Sequence, residues 1–567
     1  MRNCLPALLL AGPLLGVALP AGAAPSTAAA ALARGGYHMS ERDGSLPARH
    51  WQQEAKPQLA ACAAVPPPPA AKAGALRVTG LTKDRYFNKF FQGGGKLYRL
   101  VQQQQGVPRA IIVDTGQWRL AQLHAALAGH AGAMERKGSA YLLRLPLLIQ
   151  AGAGLAVQQG ETLRLSRDRG AFLINLGTAH LSQARLESWD EARKATALAV
   201  PADATGFQPF LLGWSGSLTV IRDSQVAGLG FAENLTHGLA FAAGPVGLDG
   251  LELPPPPRVH LAGSELTGLY SGIHATAVPE LRICRNRFLQ SRLNAIHLDI
   301  GSSGVVAENR ITQTQGPYAL YFNKNAGNVW VINNDISENR RSGLSINDSV
   351  DIVIAGNEIR QNYDAVFLQA SERILLADNR IFDNQRHAVS LRDAGPIRLQ
   401  NDRIGPNRGV GILARKARIP DPLAGTAAKF TPGVEPPTAA APAPAAARPV
   451  SAPGRRAAPE ESAAVARSAL KTEIVKRDPR NNRVELLGVL LEGNHSSAME
   501  VEAPYNIVFD KAEVMYPDVR RRPVFRGVLN DFESDILFRL PRRKTLEFEP
   551  IRPKAKTEAK ARLKTRL

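Results

Sequence analysis

His297, Asp299, Tyr321 and Lys324 combine the groups needed to remove a proton, return one and neutralise an anion. An imidazole with a reference pKa of about 6.5 accepts a proton at neutral pH, which favours His297 as the base. Asp299 would then orient the ring or a ligand. It is a weak base unless its pKa is raised, and the adjacent Lys324 opposes that rise. Tyr321 or water would return the proton, and Lys324 would hold the negative charge, although Lys clamps a carboxylate less well than Arg. On a strand of period two, His297 and Asp299 share one face while Ile296 and Leu298 share the other. Asn323, Asn347, Gln369, Arg392 and Arg415 prolong the outward columns, with Ser345 and Phe367 between them. Amides, cations and an aromatic in line suit a linear, acidic chain.

These residues meet only if successive segments of the chain stack in register, and a repeat dictates that they do. Small–aliphatic pairs recur at Gly272-Ile273, Ala295-Ile296, Ala319-Leu320, Gly343-Leu344, Ala365-Val366, Ala388-Val389 and Gly411-Ile412. Subtracting successive aliphatic positions (273, 296, 320, 344, 366, 389, 412) gives spacings of 23, 24, 24, 22, 23 and 23. Each of the first six pairs is followed by a residue of a second column: Asn286, Asn309, Asn334, Asn357, Asn379 and finally Asp402. Two short period-two runs per repeat and no sustained 3.6 periodicity indicate a solenoid of β-rungs rather than helical repeats. The Asn register fits an all-β, right-handed parallel β-helix, in which stacked amides satisfy one another and the backbone at one turn of every rung. Rungs lie about 4.8 Å apart, which places Tyr321 and Asn323 beside His297 and Asp299.

In chain order, residues 1–23 read as a secretory signal peptide: a charged start, a short apolar run and Ala21-Gly22-Ala23. The run is too short to span a bilayer, and no later stretch is long and apolar enough for a transmembrane segment, so an exported, periplasmic protein is expected. Residues 24–75 read as an Ala/Pro-rich linker and 76–141 as an N-terminal cap. Within that cap, helices are expected at 97–105 and 120–128 and a strand at 110–113. The cap would cover the open end of the solenoid, whose last rung otherwise exposes apolar surface and unpaired backbone. Residues 142–415 form the β-helix, with less regular early rungs up to about 263. Residues 416–478 are a disordered Ala/Pro-rich insertion, 479–551 closing strands and 552–567 a basic tail.

The 70 Lys and Arg against 50 Asp and Glu leave a formal charge of +20, which implies an acidic partner. Nucleic acid, anionic lipid and an acidic polysaccharide would each fit, and export argues against the first. After the signal only Cys62 and Cys284 remain, one in the linker and one on a repeat strand, so no structural disulfide is expected. No Cys/His cluster has metal-ligand spacing, and no metal or cofactor is expected.

Several segments outside the repeat resemble the periplasmic mannuronan C5-epimerases of bacterial alginate biosynthesis. They are Gln104-Gln105-Gly106-Val107-Pro108-Arg109-Ala110-Ile111, Leu143-Arg144-Leu145-Pro146, residues 165–174 with Asn175, residues 207–214, and residues 486–494. The resemblance covers most of the chain outside signal, linkers and tail. It implies conversion of mannuronate to guluronate within a polymannuronate or alginate-like polymer, with other exopolysaccharide export and modification proteins as further partners. It also implies a signature rung reading Asp-Pro-His-Asp, its His the base, and an Arg one rung on that neutralises the carboxylate. Here His297-Leu298-Asp299-Ile300 occupies those four positions. Asp299 therefore stands where the family has its base, His297 where it has the first Asp, and Lys324 where it has the Arg; Arg392 matches a family Arg.

Three readings follow for the altered rung. The first is an epimerase with a rearranged site. The second is a non-catalytic scaffold that binds and protects the polymer. The third is a lyase that removes the same proton but expels O4.

Overall fold

The computed structural model describes residues 37–43, 47–84, 87, 108–198, 206–214, 216–233, 235–243, 255–324, 326–415, 482–501, 504–510, 513–515 and 544–550. The expected signal peptide, the helix at 97–105, the insertion and the basic tail lie outside these residues. Three long sheets of 15, 14 and 15 strands run along the molecule, and the chain visits them in turn, one strand of each per rung. Pairing between successive rungs is parallel through the repeat. This is the parallel β-helix expected from the 22-to-24-residue period.

The inward aliphatic column is in register from Ile273 through Ile296, Leu320, Leu344, Val366, Val389 and Ile412, and every member is fully buried. The corners are tight because single residues there adopt the left-handed conformation. After successive strands of the 14-stranded sheet these are Ala277, Ile300, Lys324, Asp348, Ala370 and Asp393, with φ between 39° and 55°. One such residue turns the chain out of one sheet and leaves its side chain at the sheet edge.

The expected Asn column is an internal ladder. Nδ2 of Asn286, Asn309, Asn334 and Asn357 each donates to Oδ1 of the next Asn at 3.0 Å, and Asn379 donates to Asp402 at 2.8 Å. Each Oδ1 also accepts the backbone N–H of the residue below it. An acceptor-only group ends the ladder naturally, because no amide stacks beyond it. Asp402 spends its second oxygen on the Gln400 N–H at 3.2 Å. A second ladder, unforeseen in the sequence, runs through Asn339, Asn362, Asn384, Asn407 and Asn494. Its members were legible at spacings of 23, 22 and 23, but the wider gap across the insertion hid its last step.

The solenoid continues past residues 416–481 without loss of register. Asn482–Leu487 lies parallel to Ile397–Gln400 with Val484 opposite Ile397, and Ser497–Val501 lies parallel to Val410–Arg415. Antiparallel strands occur at both ends. Leu76–Gly80 pairs with Arg109–Val113 at the start, where the helix Leu120–Ala126 also packs. Lys544–Pro550 and Tyr37–Asp43 add to the far end.

Two expectations for the N-terminal segment are corrected. Residues 47–72 are not a linker: they form a strap along the 15-stranded sheet that carries Ile352 and Ile374. Arg49 and Gln400 exchange hydrogen bonds of 2.8 and 2.9 Å, and the Trp51 indole donates to Asp378 at 2.6 Å. The helix Trp51–Ala63 lies along the sheet, His180 Nε2 meets the Pro66 carbonyl, and Lys72 bridges to Gln117 near the opposite end. Cys62 and Cys284 form a disulfide with Cα atoms 5.8 Å apart. The Ala/Pro composition concealed this, because the helix needs only Trp51, Ala55 and Cys62 to bury. Its partner surface of Val305, Ala307, Ile332, Val353, Ala355, Leu375 and Ala377 is supplied by distant repeats.

Candidate functional site

The site lies on the outer face of the 14-stranded sheet. In early rungs this face is apolar and covered: Ile112, Leu148, Ile174, Leu212 and Ala240 stack outward beneath Phe87, Phe172, Phe207, Phe210 and Phe231. The same column then changes chemistry. Ala240 is followed in register by His274, His297, Tyr321, Ser345, Phe367 and Ser390. The neighbouring column reads Thr276, Asp299, Asn323, Asn347, Gln369, Arg392 and Arg415. An open, polar groove thus begins where the aromatic cover ends.

Strand Ile296–Asp299 alternates as the period-two reading requires, with Ile296 and Leu298 buried and His297 and Asp299 partly exposed. His297 lies beside Tyr321 and Asp299 beside Asn323. Asp299 Oδ1 accepts the Ile300 N–H at 3.1 Å and the Asn323 amide at 3.3 Å. Asn347 donates to the Tyr321 hydroxyl at 3.3 Å. His297, Asp299, Tyr321, Asn323 and Asn347 therefore form one connected cluster. Lys324 is exposed at the left-handed corner beside it, close enough for its charge to act on Asp299. Gln369, Arg392 and Arg415 continue the column upward. Arg392 is four rungs from Asp299, about 19 Å at the usual strand spacing, and its guanidinium lies 5.4 Å over the Phe367 ring.

A feature missed in the sequence lies beneath this cluster. His237, His274, His297 and Tyr321 form a ring stack with centroid separations of 4.5, 4.3 and 4.8 Å. Tyr318 stacks on Tyr321 at 4.8 Å and Tyr270 on His237 at 5.5 Å. The signal was available, since His274 and His297 are one repeat apart, but His237 lies in a less regular rung with a register shift beside it. The fold also brings ligand atoms of His274, His297 and Asp299 within 4.8 Å of one another. This corrects the expectation of no metal-ligand cluster, because the grouping comes from the rung period rather than from a local motif.

Burial dominates the electrostatics. It pushes the His297 pKa down to about 3, with smaller contributions from His237 and Lys324, and His237 down to about 4. The imidazoles are therefore neutral at pH 7. Burial raises the Asp299 pKa, against an opposing pull from Lys324 and the two hydrogen bonds on Oδ1. Tyr321 is also raised by burial and stays protonated at neutral pH. Both ring nitrogens of His297 are shut from solvent and have no hydrogen-bond partner among the described residues.

Residues 271–419 match the family model described as right handed beta helix region, in keeping with the expected hand. The mannuronan C5-epimerase AlgG of Azotobacter vinelandii is 25% identical over 494 residues, covering 86% of this chain and 84% of the relative. A mannuronan C5-epimerase of Pseudomonas putida is 27% identical over 352 residues, 61% of this chain and 67% of the relative. The crystal structure of the periplasmic alginate epimerase AlgG superposes with a TM-score of 0.64 at 20% identity, over 84% of this chain and 100% of the other. Among the described residues, no helix is long and apolar enough to cross a membrane. The chain is a right-handed parallel β-helix protein, similar over most of its length to a mannuronan C5-epimerase.

Proposed function

We propose that this chain is a periplasmic mannuronan C5-epimerase whose reacting sugar lies over Asp299, Tyr321 and Lys324. The observation that carries the reading is the placement of Asp299. It lies at the lower end of the outward polar columns, where two donors hold its Oδ1 while Oδ2 takes no hydrogen bond from the described residues; by the sequence resemblance this is the family's base position.

His297 is the base expected from sequence, but its enclosed nitrogens cannot reach a sugar lying in the groove. Its depressed pKa also makes it a feeble proton acceptor. The base role therefore passes to Asp299, whose proton affinity burial raises. Asp299 takes the C5 proton, and Lys324 offsets the charge that develops on the C5 carboxylate as it becomes enolate-like. Tyr321, protonated and held by Asn347, donates to the sugar. Asp299 and Tyr321 rise from the same sheet face, so the proton that completes inversion comes from water on the open side. His297 positions the ring stack that floors the cluster. Asn323, Asn347, Gln369, Arg392 and Arg415 bind the polymer along the groove. Docking to export and modification proteins in the same compartment is part of this proposal.

Proton NMR of polymannuronate treated with the purified protein tests it. New guluronate signals are expected. Unsaturated ends would identify a lyase, and an unchanged polymer would favour a binding scaffold.

A further inference from the structure

We propose that His274, His297 and Asp299 form a binding site for a divalent cation of the zinc type, and that occupancy switches the groove off by engaging the Asp299 carboxylate. Two imidazoles and a carboxylate on adjacent rungs offer ligand atoms within 4.8 Å of one another. Tetrahedral ligands bonded at 2.0–2.1 Å stand roughly 3.4 Å apart, so small side-chain rotations close the set. The donor types suit borderline metals rather than Ca²⁺ or Mg²⁺, which prefer all-oxygen sites. Buried polar atoms in folded proteins are nearly always satisfied, yet His297 encloses both ring nitrogens with no partner among the described residues. His274 in turn meets His237, Nδ1 to Nδ1, the kind of contact that orients a ligand imidazole from its far side. Three protein ligands leave a fourth coordination position for water.

The site stands on this geometry alone; the inhibition rests on Asp299 being the base. Binding takes up the carboxylate lone pair that would otherwise accept the C5 proton, and no covalent bond changes.

Co²⁺ added to the metal-stripped full chain, without substrate, tests the site. One equivalent should bind and give visible ligand-field bands. His274→Phe, which keeps an aromatic ring in the stack, should lose the bands and bind at least tenfold more weakly, with unchanged near-ultraviolet circular dichroism. His274→Gln repeats the test should the Phe variant fold poorly. Absence of the bands in the wild type, or equal Co²⁺ binding by the variants, overturns the site. In the turnover assay, one equivalent of Zn²⁺ should slow the wild type at least tenfold, a chelator should restore it, and His274→Phe should be insensitive. Stoichiometric Co²⁺ binding with turnover unaffected or raised by Zn²⁺ overturns the switch. Failure of the epimerase reading is read separately, as no turnover by metal-stripped wild type that gives the Co²⁺ bands once Co²⁺ is added back.

Discussion

Two outer faces of the same solenoid have taken opposite chemistries. On the 15-stranded sheet under the strap, the outward columns are Val305, Trp330, Val353 and Leu375, and Cys284, Ala307, Ile332, Ala355 and Ala377. These are small or apolar residues sealed by Trp51, Ala55 and Cys62. On the 14-stranded sheet, beyond the early aromatic rungs, the outward columns are imidazoles, a carboxylate, a phenol, amides and cations, with Asp299, Asn323, Gln369 and Arg392 at least partly exposed. The inward columns of both sheets are nearly interchangeable aliphatics. The repeat thus builds the scaffold with its inner faces and leaves the outer faces to diverge, one to hold its own N-terminal segment and the other, in the function proposed above, to meet the polymer.

The sharpest way to break this contrast is at the open face. Asp299→Asn should lower turnover at least about a hundredfold, the low end of general-base contributions, while polymer binding by gel retardation survives. An unimpaired variant would move the chemistry elsewhere. At the covered face, Cys62→Ser should cost roughly 2–4 kcal/mol of unfolding free energy, read by urea titration, with no change in turnover once folded. Inside the solenoid, Asn357→Leu leaves Asn334 Nδ2 and the Asn334 N–H without their acceptor. That should cost roughly 1–3 kcal/mol, and an unchanged melting temperature would contradict the ladder.

Asp402 adds a pH test. Burial raises its carboxyl from an ordinary value to about 7, so the folded chain binds its proton more tightly than the unfolded chain does. Its contribution to stability is present at acid pH and lost as pH rises from about 4 through about 7. Asp402→Asn should remove that component from the pH profile of the melting temperature. The smallest effect is expected at Arg392, which is exposed. Arg392→Ala should weaken polyuronate binding a few-fold without affecting stability. Binding by the wild type should itself fall with salt, since exposed charges more than about 8 Å apart are largely screened at physiological ionic strength. Equal affinity for a neutral glucan would contradict an electrostatic groove.

What was legible in the sequence follows the same division. The column Ile296, Leu320, Leu344, Val366, Val389 and Ile412 and the ladder Asn286 to Asp402 were readable because every rung repeats the same requirement. The pairing of His297 with Tyr321 and of Asp299 with Asn323 was readable for the same reason: a rung period plus a strand period places them. The strap was not, since its affinity lies in the surface of distant repeats and its own composition is that of a linker. Nor was the Cys62–Cys284 bond, whose partners are 222 residues apart. Protonation was beyond the sequence too. A His two positions from an Asp suggests a base at its reference pKa, whereas stacking between His274 and Tyr321 encloses the ring and lowers it.

The central claim is that the uncovered face removes a C5 proton through Asp299 and replaces it from water. Polymannuronate incubated in deuterated solvent tests this most directly. Wild-type protein should place deuterium at C5 of newly formed guluronate, and Asp299→Asn should slow that incorporation at least about a hundredfold. Undiminished labelling by the variant, or guluronate formed by the wild type without solvent deuterium at C5, would contradict the account.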